Sequence, residues 1–296
     1  MMNLMRRDRK VSIPELMRER CRSARRTAVS AFLLFGVLFV CGASAQDAVP
    51  SRTVVLTFDD AHRTHLEVAA PILKKYGFGA TFFVCQRWML NKGQYMNWEE
   101  MAKLHEMGFE VGNHSWSHSS FNKPGSGKTL EKELLRVEQR LKTVGVPNPV
   151  SFAYPGAAFC PEAIKTLRNR GYLFGRRGIE PDKLPNYAPP GVGVAYDPNK
   201  HHHLIIPSSG VPGTGWTRES FRQAISGAAE GKIPVIMYHG IPDKENPNIS
   251  ISEEQFLSEM KYLKAAKYKV IAMRDLDKYV NRSKPPNDPF LLSTYP

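Results

Sequence analysis

Thr53-Val54-Val55-Leu56-Thr57-Phe58-Asp59-Asp60 is the stretch on which the fold turns. Six uncharged residues of strand-forming type end abruptly in two carboxylates. The run is continuous rather than alternating, as expected of a strand covered on both faces in a parallel sheet. A second short apolar segment, Glu110-Val111-Gly112-Asn113, runs into His114-Ser115-Trp116-Ser117-His118. Two imidazoles and two carboxylates thus stand at strand ends, a donor set that suits a divalent cation and hydrolytic chemistry.

Outward from these two points the chain alternates. Strand patterns are expected over 53–58, 80–84, 110–113, 151–154, 173–177, 235–238 and 269–272. Helical patterns lie between them, over 66–76, 98–107, 129–143, 161–169, 217–230 and 252–266. Gly77, Gly108, Gly145 and Gly171 fall where helices should stop. Seven strands separated by amphipathic helices imply an α/β fold, either a barrel short of one strand or an open doubly wound sheet. In both, polar groups at the C-terminal ends of strands form the site. Asp59 and Asp60 follow strand one, His114 and His118 strand three, Pro155-Gly156 strand four and His239 strand six. The irregular stretch 178–215, rich in Pro and Gly, is expected to form a lid or groove wall.

Residues 1–45 read as a leader, and 46–296 as one catalytic domain. Arg25-Arg26 precede an uncharged run, 31–40, that closes on Ala43-Ser44-Ala45. The run is shorter than the ~20 residues that span a bilayer, so no permanent membrane span is expected once the leader is removed. Export to the periplasm or outside the cell follows. The leader carries nine Lys/Arg and three Asp/Glu, and the remainder carries 32 and 25. Positive charge of this size, without a basic stripe interleaved with aromatics, excludes a nucleic-acid partner. Cys85 and Cys160 remain in the exported part, as a disulfide or as two buried thiols.

In order along the chain, Thr57-Phe58-Asp59-Asp60, His114-Ser115-Trp116-Ser117-His118, Phe152-Ala153-Tyr154-Pro155-Gly156 and Met237-Tyr238-His239 resemble the successive motifs of NodB-homology polysaccharide deacetylases, carbohydrate esterase family four. The resemblance runs from about Thr53 to Asp275. It implies a deformed seven-stranded (β/α) barrel that hydrolyses acetyl groups, N-acetyl foremost, from an acetylated polysaccharide or oligosaccharide. It also implies that Asp60, His114 and His118 ligate the metal, His114 and His118 facing one point if their segment coils helically. Asp59 would be the general base and His239 the acid. Tyr154, Pro155 and Gly156 would lie against the substrate, with the Gly156 N–H facing the oxyanion. Zinc is the expected ion, and the donors also suit cobalt, iron or manganese.

Two departures from the family pattern stand out. The Arg that pairs with the catalytic Asp, two residues before the motif Pro, is here Ala153. The Asp-Trp pair that helps hold the acid His has no counterpart. Arg176 or Arg177 is expected to supply the missing cation, with Arg177 the substrate-side candidate, and Asp243 to orient His239. Alternative activities with similar motifs are an O-acetyl xylan-type esterase, a cyclic-amide hydrolase of the allantoinase kind and a non-catalytic sugar-binding relative.

Other features have plainer readings. Asp-Asp after a strand, taken alone, is a common helix start. His62 lies beside the aspartates, and His65 is expected at a water-facing helix start. His201-His202-His203 reads as a tract for adventitious metal or a loop over the substrate. Trp116, Tyr154 and Trp216 are candidates for sugar stacking or wall packing. Gly125–Thr129 lacks the first glycine of a phosphate loop and reads as a flexible loop before a helix.

Overall fold

A computed structural model of the chain describes residues 46–179 and 190–286. The leader expectation for residues 1–45 lies outside the described residues. At the centre is β1 (Thr53–Phe58), buried at all six positions. It pairs in parallel with β2 (Thr81–Val84), through Thr57↔Thr81 and Phe58↔Phe82. It also pairs with β6 (Val235–Tyr238), from Val55↔Val235 to Phe58↔Tyr238. Beyond β2 follow β3 (Glu110–Asn113), β4 (Ser151–Ala153) and β5 (Phe174–Arg176), giving the order β5-β4-β3-β2-β1-β6. The seventh strand, β7 (Lys269–Ile271), sits on the lower half of β1. All six ladders between these strands are parallel, which requires a crossover between successive strands. Those crossovers are α1 (Ala70–Tyr76), α2 (Trp98–Glu106), α3 (Ser126–Thr143), α4 (Pro161–Asn169), α5 (Arg218–Ile225) and α6 (Glu253–Ala265). The expected seven-stranded α/β barrel is thus the observed curled sheet.

Its deformation has a specific cause. No strand ladder joins β5 to β6; residues 206–210 stand between them instead. Arg176 bridges Ile206 and Gly210 bridges Ile236, both in parallel sense. Backbone bonds from Arg177 N to Ile206 O (2.9 Å) and from Ser209 N to Val235 O (2.8 Å) fasten this stave. The irregular stretch expected as a lid or groove wall therefore supplies, over this part, barrel wall. Val192, Leu204, Ile205 and Ile206 are all buried.

The helices follow their apolar spacing. In α3, Leu130, Leu134, Val137 and Leu141 form one buried face. Asn97 and Glu100 cap α2 reciprocally, and Gly77, at φ 71°, ends α1 in the left-handed conformation. Phe58 stacks between Phe82 (4.7 Å) and Tyr238 (5.3 Å) directly beneath the paired carboxylates. Full burial of each such ring contributes roughly 1.5–3 kcal/mol.

Several expectations are corrected here. The first helical turn after β1 is a π-turn, His65–Ala69, and His65 is fully buried rather than water-facing. His201, His202 and His203 are buried, not exposed for metal capture or a substrate loop. His201 Nδ1 and His202 Nδ1 accept backbone N–H groups of Asp197 (2.9 Å) and Leu204 (3.0 Å), and His203 Nδ1 donates to the Leu173 carbonyl (2.6 Å). Cys85 and Cys160 are two buried free thiols.

Candidate metal centre and active site

The site begins where β1 stops. Asp59 N–H still donates to Tyr238 O (2.9 Å), as a continuing strand would. Asp60 (φ 72°) and Ala61 (φ 58°) then turn through the left-handed region, which non-glycine residues enter rarely and at a cost of ~1–3 kcal/mol. That turn aims the Asp60 carboxylate across the sheet. At the end of β3, His114 N–H continues the ladder to Val84 O (3.0 Å). The segment after it is not the helical coil expected from the four-residue spacing. It is a turn with Ser115 at φ 64° and His118 at φ 54°. The turn brings the two imidazoles to 4.9 Å between ring centres, edge to face.

Asp60 Oδ1 lies 3.7 Å from His114 Nε2 and 3.4 Å from His118 Nε2. One donor atom from each of the three residues lies within 4.8 Å of the others. Zinc bonds of about 2.0–2.2 Å place tetrahedral donors a little over 3 Å apart, so the triangle is of the right size. The tautomer fits as well. His114 Nδ1 donates to the Ala153 carbonyl (2.8 Å), which leaves Nε2 its lone pair, the arrangement common behind metal-bound histidines. Residues 60, 114 and 118 therefore fit a divalent cation by distance and donor type, and His114 by proton placement as well.

The neighbouring carboxylates have opposite surroundings. Burial pushes Asp59 up, but the Arg176 guanidinium, then His114 and His239, outweigh it and hold the carboxyl down to about 2. Arg176 Nη2 lies 2.5 Å from both Asp59 oxygens. Among the described residues no guanidinium pairs with Asp60, and burial raises it to about 6, with His239 acting against the rise. Burial also lowers His114, to about 3, against the pull of Asp59. Adjacent carboxyls driven apart by their environments are a signature of divided acid–base labour.

Arg176, not Arg177, thus reaches Asp59. Successive strand residues point to opposite faces, so only one of the pair can face the cleft. Arg177 is buried with its Nε donating to Ile205 O (3.3 Å), in the barrel wall. Arg176 is the Cα partner of Ala153 in the ladder: the guanidinium stands one strand over from the position that Ala153 leaves bare.

His239 lines the same cleft as Asp59, Asp60, His114, His118 and Gly156, a space of about 660 Å³. Its carbonyl accepts from His65 Nε2 (3.0 Å), while its buried Nδ1 has no hydrogen-bond partner among the described residues. Asp243 does not supply one. Its carboxylate accepts from Glu245 N (2.9 Å), Asn246 N (3.0 Å) and Gln94 Nε2 (2.6 Å), and lies 3.6 Å from His62 Nε2. Asp243 is the staple of its own loop. Gly156, exposed at φ 60°, opens the turn after β4. Pro155 is buried at the start of that turn. Tyr154 lines the cleft by position, but its ring is buried, its hydroxyl donates to Leu204 O (3.0 Å), and its N–H donates to Arg176 O (3.0 Å). It is neither a stacking platform nor an oxyanion donor.

Trp88 was not legible as a site residue. Its Nε1–H donates to Asp60 Oδ1 (3.2 Å) and its ring stacks on Tyr95 at 5.9 Å. The only sequence signal is a tryptophan shortly after β2. Trp116 and Trp216, the other stacking candidates, are packed instead, against Trp98 (6.0 Å) and through an Nε1 bond to Glu259 (2.8 Å).

Residues 46–175 match the family model described as polysaccharide deacetylase. A poly-beta-1,6-N-acetyl-D-glucosamine N-deacetylase of Staphylococcus epidermidis is 24% identical over 164 residues, 50% of this chain and 56% of that protein. The chain spans about half the length of the curated relatives it matches, 46% and 56% in two cases. Among solved structures, a CE4 family pseudoenzyme from Bacillus anthracis aligns over 80% of this chain and 68% of its own, with 17% identity and a TM-score of 0.52. The peptidoglycan deacetylase PdaC from Bacillus subtilis aligns over 79% and 93%, with 19% identity and a TM-score of 0.50. These structures share the barrel, and the family model takes in three of the four motifs. Over residues 46–175 the chain matches the polysaccharide deacetylase family, and its barrel is similar to that of a carbohydrate esterase family four structure.

Proposed function

We propose that this protein is an exported, divalent-metal hydrolase that removes N-acetyl groups from a polysaccharide or oligosaccharide. The observation that carries the reading is the convergence of Asp60, His114 and His118 donors within 4.8 Å, with the ionised Asp59 beside them. His114 Nε2 lies 3.8 Å from Asp59 Oδ2. Bound to the three donors, a divalent cation, zinc foremost, supplies Lewis acidity that lowers the pKa of water and polarises an acyl oxygen.

The chain's own groups divide the remaining work. Arg176 keeps Asp59 ionised and fixed, so Asp59 accepts the proton of the attacking water as oxygen bonds to the acetyl carbon. The Gly156 N–H, at the cleft edge, donates to the developing oxyanion. His239 gives a proton to the sugar nitrogen as the C–N bond breaks, releasing acetate and a free amine. An amine leaves only with that proton, and His239 sits in the same cleft, which favours N-acetyl over O-acetyl substrates. The staphylococcal relative is named for N-deacetylation of a glucosamine polymer, in the same direction. Export rests on the residue 1–45 pattern alone. No helix among the described residues is long and apolar enough to cross a membrane.

The test combines elemental analysis of protein purified without a metal-affinity step with acetate release from chitin oligomers, peptidoglycan and acetylxylan. One tightly bound divalent ion per chain and release from an N-acetylated polymer are expected. Full activity in metal-free protein refutes the metal role. Release from acetylxylan alone replaces the amide reading with the ester one.

A further inference from the structure

We propose that Glu133, on α3, is the positioning residue that holds His118 in ligating geometry; the proposal rests on the metal reading above. The two histidines are fixed by different means. His114 is tied to the Ala153 carbonyl through Nδ1 and is almost wholly buried. His118 has no such tie: among the described residues no hydrogen bond joins its ring to another residue, and its side chain is 24% exposed. Beyond its ring contacts with His114 (4.9 Å) and Trp88 (5.8 Å), its direction is set by the turn that carries it.

That turn holds two non-glycine residues in the left-handed region, Ser115 and His118, so something must fasten it. Glu133 does so with both carboxylate oxygens. Oε2 accepts the successive N–H groups of Trp116 and Ser117, each at 3.1 Å, and Oε1 accepts the Ser117 hydroxyl at 2.5 Å. One turn further along α3, Arg136 covers the Trp116 ring at 4.1 Å. Asn113 Oδ1 accepts from Ser115 N (2.8 Å) and Ser115 Oγ from His118 N (3.1 Å), completing the clamp. Glu133 is itself buried, and no Lys, Arg or His lies within ion-pair distance of it among the described residues. The backbone amides of the turn are its counter-charge.

An outer partner that orients a ligand typically changes metal affinity by about 10–100-fold when removed. The experiment titrates Zn²⁺ and Co²⁺ calorimetrically into the full, chelator-stripped protein and records the visible Co²⁺ spectrum. Glu133→Ala is expected to weaken affinity by about 10–100-fold and to alter the Co²⁺ bands. Glu133→Gln, which keeps one acceptor oxygen, should recover part of the loss. Glu110→Gln, at another buried carboxylate at the far end of β3, should bind as the wild type does. If Glu133→Ala does not fold, Glu133→Gln and Ser117→Ala carry the test, each with a smaller loss. Wild-type affinity in the folded Glu133 variants overturns the assignment, as does an equal loss in Glu110→Gln. A wild type that takes up neither ion overturns the metal reading itself.

Discussion

The chain holds two histidine clusters with opposite fates. His114 and His118 follow β3, and with Asp60 they turn their Nε2 atoms toward one point in an open cleft. His201, His202 and His203 lie beside β5, just before the 206–210 stave that fills the gap between β5 and β6, and there ring nitrogens satisfy backbone groups. The denser cluster is the structural one. Imidazoles become ligands where strands end and the backbone is already bonded. In an irregular wall segment, the backbone itself requires their nitrogens, because an unsatisfied buried amide costs more than a net hydrogen bond contributes.

The sharpest way to break this contrast is to delete one member of each cluster. His114→Ala should abolish both metal binding and turnover, whereas His202→Ala should leave the metal content unchanged; elemental analysis beside acetate release reads both. Asp59→Asn comes next. It should lower kcat by roughly 10²–10⁴-fold with the ion retained, and loss of the ion instead would exchange the roles of the two aspartates.

The third test separates the adjacent arginines. Arg176→Met strips a buried carboxylate of its partner and should cost about 3–5 kcal/mol of stability at neutral pH, while Arg177→Ala should leave the pH–rate profile in place. Asp59 is held to about 2, below its ordinary 3.8. The ion pair therefore stabilises the fold fully above about pH 4 and fades as pH falls through about 2. Without Arg176, burial prevails, and the acid limb of the pH–rate profile moves upward. The smallest effect belongs to the wall. His202→Ala should lose about 1–3 kcal/mol, the penalty for leaving the Leu204 amide without its acceptor, read by denaturant melts at constant activity per folded molecule.

Much of this was legible because apolar runs with sharp polar stops mark strands independently of long-range geometry. β1, β3 and β6 have their expected limits, and the residues just past them form the cleft. What was not legible depends on contacts between distant segments. Choosing Arg176 over Arg177 requires the register that sets Ala153 opposite Arg176. The burial of His65 follows from a π-turn that apolar periodicity does not distinguish from an α-helical one. The wall built from residues 206–210 contains no strand-length run, so its Pro- and Gly-rich surroundings read as a loop. Trp88 and Glu133 have no spacing signal at all; one bonds the Asp60 carboxylate, the other the turn before His118.

The most direct test is crystallographic: anomalous scattering at the zinc edge from protein grown with zinc at a single equivalent. A single peak about 2.0–2.2 Å from Asp60 Oδ1, His114 Nε2 and His118 Nε2, with Asp59 beside it but still paired to Arg176, is the predicted result. A peak at His201–His203, or none near residue 60, would contradict the account.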